Sequence, residues 1–144
     1  MPWDDTTSNV TDFSFLNTPI GTNWVSVDTN AHFVVNGQRI RFLGVNFAWD
    51  SPTFTSTNYA DSVAGRLAKF GVNCVRLHQM DAINAYNGGL ISYTSTSSTN
   101  FNSANLDRLH YFVSRLKAHG IYSDVNLLVG REYQVGDGLG PEVT

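Results

Sequence analysis

Val72-Asn73-Cys74-Val75-Arg76-Leu77-His78-Gln79-Met80-Asp81 is the stretch whose reading decides the fold. It follows a helix end closed by Gly71 and is short, apolar and bounded, so residues 72–80 read as a buried strand. Side chains alternate across a strand, which puts Cys74, Arg76 and His78 on one face and Val75 and Leu77 on the other. Parallel α/β sheets bury strands of this kind and bind ligands beyond their carboxyl ends, where Arg76 and His78 sit. The plain alternative is that both side chains only satisfy a core carboxylate and backbone carbonyls.

Working outward, Ala60, Val63, Ala64, Leu67 and Phe70 recur at helical spacing behind a cap at Thr57 or Asn58. Ahead of that helix, Ile40–Phe47 reads as a strand that leads into a loop with Trp49, Asp50, Pro52 and Phe54. After the central strand comes a long Ser/Thr/Asn/Gly-rich loop, residues 82–101, containing Tyr86, Tyr93 and Phe101. Loops of that length inside compact domains usually carry function or lack order. Asn102 or Ser103 caps a second helix with Leu106, Leu109, Val113 and Leu116 as its inner stripe and Gly120 as its stop. A third strand is expected over Ile121–Val129, followed by a Gly-rich loop to Thr144. Leu67-Ala68-Lys69-Phe70-Gly71-Val72 and Leu116-Lys117-Ala118-His119-Gly120-Ile121 repeat one pattern of helix end, glycine and strand start. Strand-helix-strand-helix-strand order means α/β architecture, parallel strands and right-handed crossovers.

Upstream, Asn36-Gly37 sits between Phe33-Val34-Val35 and Arg39-Ile40-Arg41-Phe42. Both central positions of a type I′ turn need positive φ, which makes Asn-Gly the strongest two-residue hairpin signal. The expected organisation is thus one domain over 1–144: an irregular arm (1–23), a short antiparallel β-hairpin (24–39) and β/α units (40–144).

The totals narrow the classes of function. The formal net charge is −3 and the calculated pI about 5.7, which argues against nucleic acid and anionic membrane as partners. No run approaches ~18 apolar residues, so no membrane span is expected. The opening Met1-Pro2-Trp3-Asp4-Asp5 lacks the basic and apolar regions of a signal peptide. Cys74 is the single cysteine, which excludes an internal disulfide, and its apolar strand suits an inert thiol. No H-x-x-x-H or clustered Cys/His suggests a metal, and Gly44 stands alone where a phosphate loop would need several glycines, so no metal or cofactor is expected.

The run His32-Phe33-Val34-Val35-Asn36-Gly37 with Arg41-Phe42-Leu43-Gly44-Val45-Asn46, then Gly71-Val72-Asn73-Cys74-Val75-Arg76-Leu77-His78 and Gly120-Ile121-Tyr122-Ser123-Asp124-Val125-Asn126-Leu127, resembles the start of a cellulase-like glycoside hydrolase. The likeness covers residues 24–140 and is to the family 5 type within the retaining (β/α)8-barrel clan. It implies part of a TIM barrel, β-linked sugars as substrate, a site at the carboxyl ends of the strands, and a secreted or periplasmic location. Alternation along the strands puts Leu43, Val45 and Phe47 toward the helices and Phe42, Gly44 and Asn46 inward. It likewise sends Val125, Leu127 and Val129 toward the helices and Asp124, Asn126 and Leu128 inward. The inward polar set, Asn46, Arg76, His78 and Asn126, then converges from three strands, as barrel sites do. By the family pattern Arg76 matches the arginine that supports the catalytic carboxylates, while Asn126 stands where many relatives carry histidine.

Trp49, Tyr86 and Tyr93 lie in loops at the same end, where rings either stack on a sugar or pack under their own loops. The expected substrate-binding set is Asn46, Trp49, Arg76, His78, Tyr86 and Asn126. Asp50 and Asp81 either bind a hydroxyl or start a turn, and His110 and His119 read as surface. Retaining hydrolysis needs two carboxyl groups about 5–5.5 Å apart. The resembled family carries them as glutamates after its fourth and seventh strands, the first in an Asn-Glu pair. This sequence has Glu132 and Glu142 only and no Asn-Glu, and a full barrel takes about 250 residues. A barrel fragment without the catalytic pair is expected, leaving His78, Glu132 and Asp137, with Asp124, as the candidates for any chemistry of its own. Two further readings stay open. One is an oligomeric hydrolase of altered, ester-cleaving activity built on His78 and a nearby Ser or carboxylate, though no G-x-S-x-G elbow is present. The other is a carbohydrate-binding or structural module. An open inner sheet face predicts a homo-oligomer whose subunits cover one another.

Overall fold

The computed structural model describes residues 5, 7–48, 52–83, 89–140 and 142. Among the described residues the chain is mixed α/β, with two three-stranded sheets. β1 (Ser26–Val27), β2 (Phe33–Val35) and β3 (Gln38–Arg39) form an antiparallel sheet in that order. The β2–β3 turn is made by Asn36 and Gly37 with φ of 53° and 73°, and Val35 faces Gln38 across it. The hairpin is where the sequence puts it; β1, pairing Val27 with Phe33, adds a third strand.

β4 (Gly44–Ala48), β5 (Cys74–His78) and β6 (Tyr122–Val125) form a parallel sheet with β5 in the centre. Asn46, Arg76 and Asp124 lie side by side in register. Helices α1 (Thr57–Lys69) and α2 (Ser103–Ala118) are the crossovers. Ser56, one residue ahead of the expected cap, accepts from the Tyr59 N–H, and Asn102 accepts from the Asn105 N–H. Both helices end in one closure. Gly71 and Gly120 each take φ of 73°, and their N–H groups reach back to Ala68 and Lys117. The N–H groups of Val72 and Ile121 reach Leu67 and Leu116, so the repeat in sequence is a repeated Schellman cap.

The core lies between the helices and one sheet face. Val75 and Leu77 are fully buried under Ala60, Ala64, Ala68, Leu109, Phe112 and Leu116. Val45 and Phe47 pack against it, as alternation requires. The α2 stripe differs from expectation: Asn105, Leu109, Phe112 and Leu116 are its buried residues. Leu106 and Val113 are only half-buried because the helix is turned to seat the Phe112 ring against Phe47 and Phe54, at centroid distances of 5.8 and 4.8 Å. Phe70 points to solvent beneath Arg66, with 4.4 Å from guanidinium to ring.

The third parallel strand is shorter than Ile121–Val129. After Val125 only the Asn126 N–H keeps the ladder, donating to Leu77. Asp81 then draws the chain aside, accepting from the Val129 and Gly130 N–H groups at 2.8 and 3.0 Å. Val125 and Leu127, expected under helices, are 45% and 86% exposed, since α2 reaches no further over β6. The arm is ordered against the other end of the sheet. Its Phe13 and Ile20 N–H groups bond to the carbonyls of Lys69 and Lys117, and the Asn17 side chain bonds to Val72. Its Asp5 meets Lys69, a buried lysine whose ammonium also reaches Thr7 O at 2.7 Å. Among the described residues no helix is long and apolar enough to cross a membrane.

Candidate functional site

Opposite the helices the parallel sheet presents a polar face. Gly44, Asn46, Arg76 and Asp124 are exposed there; Cys74, His78 and Tyr122 are half-buried. Toward the amino ends of the strands this face is covered by aromatic rings. Phe33 from β2 meets Phe42 edge-on at 5.5 Å, and Phe42 meets Tyr122 at 5.7 Å. The inner face at Phe42 is therefore less open than the sequence suggests.

Toward the carboxyl ends the polar side chains gather. Asn126 Oδ1 accepts from Arg76 Nε at 2.8 Å and lies 2.7 Å from His78 Nδ1. Parallel register places Arg76 and His78 two residues apart on β5, and Asn126 one residue past β6, so three side chains from two strands meet at one oxygen. Asn46 shares their face and stands beside Arg76 in register, without a hydrogen bond to this group. Trp49, Asp50 and Tyr86 lie outside the described residues.

The loops around this end hold one another. Asp81 is buried, and its carboxylate grips residues 129 and 130, so it acts as a clamp. Tyr93 donates to the Asp81 carbonyl at 2.6 Å and accepts from the Glu132 N–H at 3.1 Å, with burial raising its phenol pKa. Tyr93 thus packs under its loops, and its hydroxyl seats the exposed Glu132. Residues 89–101 fold back on themselves through an Ile91–Phe101 bridge and the Ser92–Asn100 hydrogen bond. Buried Asn105 ties that hairpin to α2 by donating to the Gly89 carbonyl at 2.6 Å.

Asp137 is engaged elsewhere. Its carboxylate accepts from the Ser98 hydroxyl and N–H and from the Gln134 N–H, while Arg131 donates to the Ser98 hydroxyl and carbonyl. The Ser98 hydroxyl, followed by the Gln134 N–H, holds the Asp137 carboxyl well below the usual carboxylate range. A carboxylate so held is a poor proton donor near neutrality. Cys74 is kept a thiol by burial and by the Asp124 charge, which together raise its pKa. His119, expected at the surface, is half-buried beside Arg115; burial first and that charge second lower its pKa.

A cavity of about 470 Å³ lies at the other end, between the arm and the hairpin, lined by residues such as Thr18, Ile20, Arg39, Asn73 and Tyr122. None of Arg76, His78 and Asn126 lines it, and its described lining holds no acid–base pair. No group of three or more His, Cys, Asp or Glu among the described residues is arranged to hold a metal. Of the four side chains expected to converge from three strands, Arg76, His78 and Asn126 meet, and Asn46 on β4 stands apart from them. The Asp81 clamp and the Ser98–Asp137–Arg131 network escape it, for each joins loops some 30 to 50 residues apart with no local pattern. Compared with known proteins, the chain matches no family model, no curated protein and no solved structure.

Proposed function

We propose that the chain is the opening part of a (β/α)8 barrel of the cellulase-like, family 5 type, and that its sheet rim supplies the sugar-binding side of a glycoside hydrolase site without the catalytic glutamate pair. The observation that carries this reading is the meeting of Arg76, His78 and Asn126 at the carboxyl end of a parallel sheet. Ligands of parallel α/β folds bind at that end. Neutral polyols are recognised by fixed donors and acceptors of this kind, and the guanidinium adds a positive field suited to supporting carboxylates brought by further strands.

The ester-cleaving alternative needs a hydroxyl nucleophile beside His78. Ser98, a serine already bound to a carboxylate, is fully buried and shared with Asp137 and Arg131. In our reading β4 and β6 are the two edges of the parallel sheet, and Val125, Leu127 and Leu128 at the β6 edge are exposed apolar surface. The association we propose is a homo-oligomer in which a second copy covers the inner, polar face of the sheet and the bare edges beside it. Light scattering that finds only monomer at micromolar concentration would sink it.

The test of the sugar reading is titration of the labelled chain with cello-oligosaccharides, followed by amide and side-chain NMR. Affinity is expected on the order of 1 mM, with shifts at Asn46, Arg76, His78 and Asn126 and with no turnover of chromogenic β-glucosides. Arg76→Ala should abolish the shifts. Unchanged spectra at saturating sugar would overturn the proposal.

A further inference from the structure

Arg76 Nε and His78 Nδ1 approach the same atom, Asn126 Oδ1, at 2.8 and 2.7 Å. A guanidinium has donors and no acceptor, so the end of the Asn126 amide facing it has to be the carbonyl oxygen. That oxygen only accepts. The proton of a neutral His78 ring is then on Nδ1, and its lone pair is on Nε2. A free imidazole side chain in water favours the opposite tautomer, with the proton on Nε2, so this arrangement reverses an intrinsic preference.

We propose that Asn126, oriented by Arg76, is a positioning residue that locks His78 in the Nδ1–H tautomer and so presents Nε2 as a hydrogen-bond acceptor on the polar face of the sheet. Among the described residues Arg76 spends Nε on Asn126, which leaves its two terminal amino groups as donors on the same face. An acceptor beside a fixed pair of donors fits two neighbouring hydroxyls, one giving its proton to His78 and the other receiving one from Arg76. The ligand class, a neutral vicinal diol, rests on the sugar reading above; the tautomer does not. Asn126 is also the residue through which β6 reaches the site, since its own N–H continues the ladder to Leu77 and fixes its backbone.

Long-range ¹H–¹⁵N correlation spectra of the ¹⁵N-labelled chain near pH 8 read the tautomer directly, with no ligand present. The expected result is an Nδ1–H ring for His78, converting to Nε2–H in Asn126→Ala. Arg76→Met, which frees the amide to rotate, is expected to give a mixture. Unchanged amide shifts for Ala64 and Phe112, in the core and away from both substitutions, certify that each variant keeps its fold. An Nε2–H His78 in the parent chain, or an Asn126→Ala variant that keeps Nδ1–H, overturns the proposal. Cellobiose added to the same samples is expected to perturb His78 Nε2 in the parent and to bind about tenfold more weakly to Asn126→Ala. An Nδ1–H ring that ignores cellobiose overturns the diol assignment and the sugar reading while supporting the tautomer lock.

Discussion

Replacing Phe112 by alanine tests the packing that sets the whole helical layer. The ring is fully buried on α2 and touches Phe47 of β4 and Phe54 of the following loop. Truncating a buried phenylalanine costs about 3–5 kcal/mol through lost transfer energy and the cavity left behind. Phe112 belongs at the upper end, because its neighbours come from a strand, a loop and a helix and cannot all close in together. Natural domains have only about 5–15 kcal/mol in hand, so the variant should survive with little margin. For a chain of this length the melting temperature should fall by about 6–20 °C. Thermal and urea unfolding followed by circular dichroism measure the two quantities, with Phe70→Ala as the companion. Phe70 is 52% exposed and, among the described residues, stacks under Arg66, so its loss should cost within about 1 kcal/mol. Leu106→Ala, on the half-buried flank, should fall between. If Leu106 proved costlier than Phe112, α2 would be rotated from the orientation described and the core account would be wrong.

Gly120→Ala should be far more damaging than Gly37→Ala, although both glycines have φ of 73°. A Cβ on Gly120 would sit 2.5 Å from the Thr18 carbonyl, whereas one on Gly37 meets open space; about 2–4 kcal/mol is expected for the first and about 1 for the second. Equal chemical-denaturation midpoints would remove the arm from its place. Asp81→Asn keeps one acceptor oxygen and sets its NH2 against the other of the two backbone N–H groups, and should cost about 1–3 kcal/mol and speed hydrogen exchange at Val129 or Gly130; unchanged exchange at both would contradict the clamp. His119 has its folded pKa lowered, so the unfolded chain takes up the proton first on acidification. The histidine contribution is therefore complete above the unfolded value of about 6.5 and declines as pH falls below it toward the folded value. Melting temperatures of the parent and His119→Gln should diverge between pH 7 and 5, with the parent losing more; parallel curves would refute it.

What local chemistry dictates was legible in the sequence. Asn36-Gly37 gave a two-residue turn, Gly71 and Gly120 gave helix stops, and alternation from Cys74 to His78 sorted the faces of the central strand. Those signals depend on neighbours within a few residues. The α2 stripe was legible only to within one position, because an apolar arc containing Leu106, Leu109, Phe112, Val113 and Leu116 permits more than one rotation. Tertiary contact with Phe54 chooses Phe112. The reach of the third parallel strand is not legible, because the apolar run Leu127-Leu128-Val129 reads as its continuation until Asp81 draws Val129 and Gly130 out of line. The burial of Lys69 could not be read either, since its partner Asp5 lies 64 residues away.

The arm that crosses the ends of both helices also bears on how the chain acquires its shape. Ile20 has no partner until Lys117 exists, about a hundred residues later. At ~5–20 residues per second, ribosomal synthesis leaves the first segment waiting for several seconds or more, with Phe13, Phe15 and Leu16 at hand for other contacts. The contact begun first is thus among the later ones to close, after α1, β5 and most of α2 have been made.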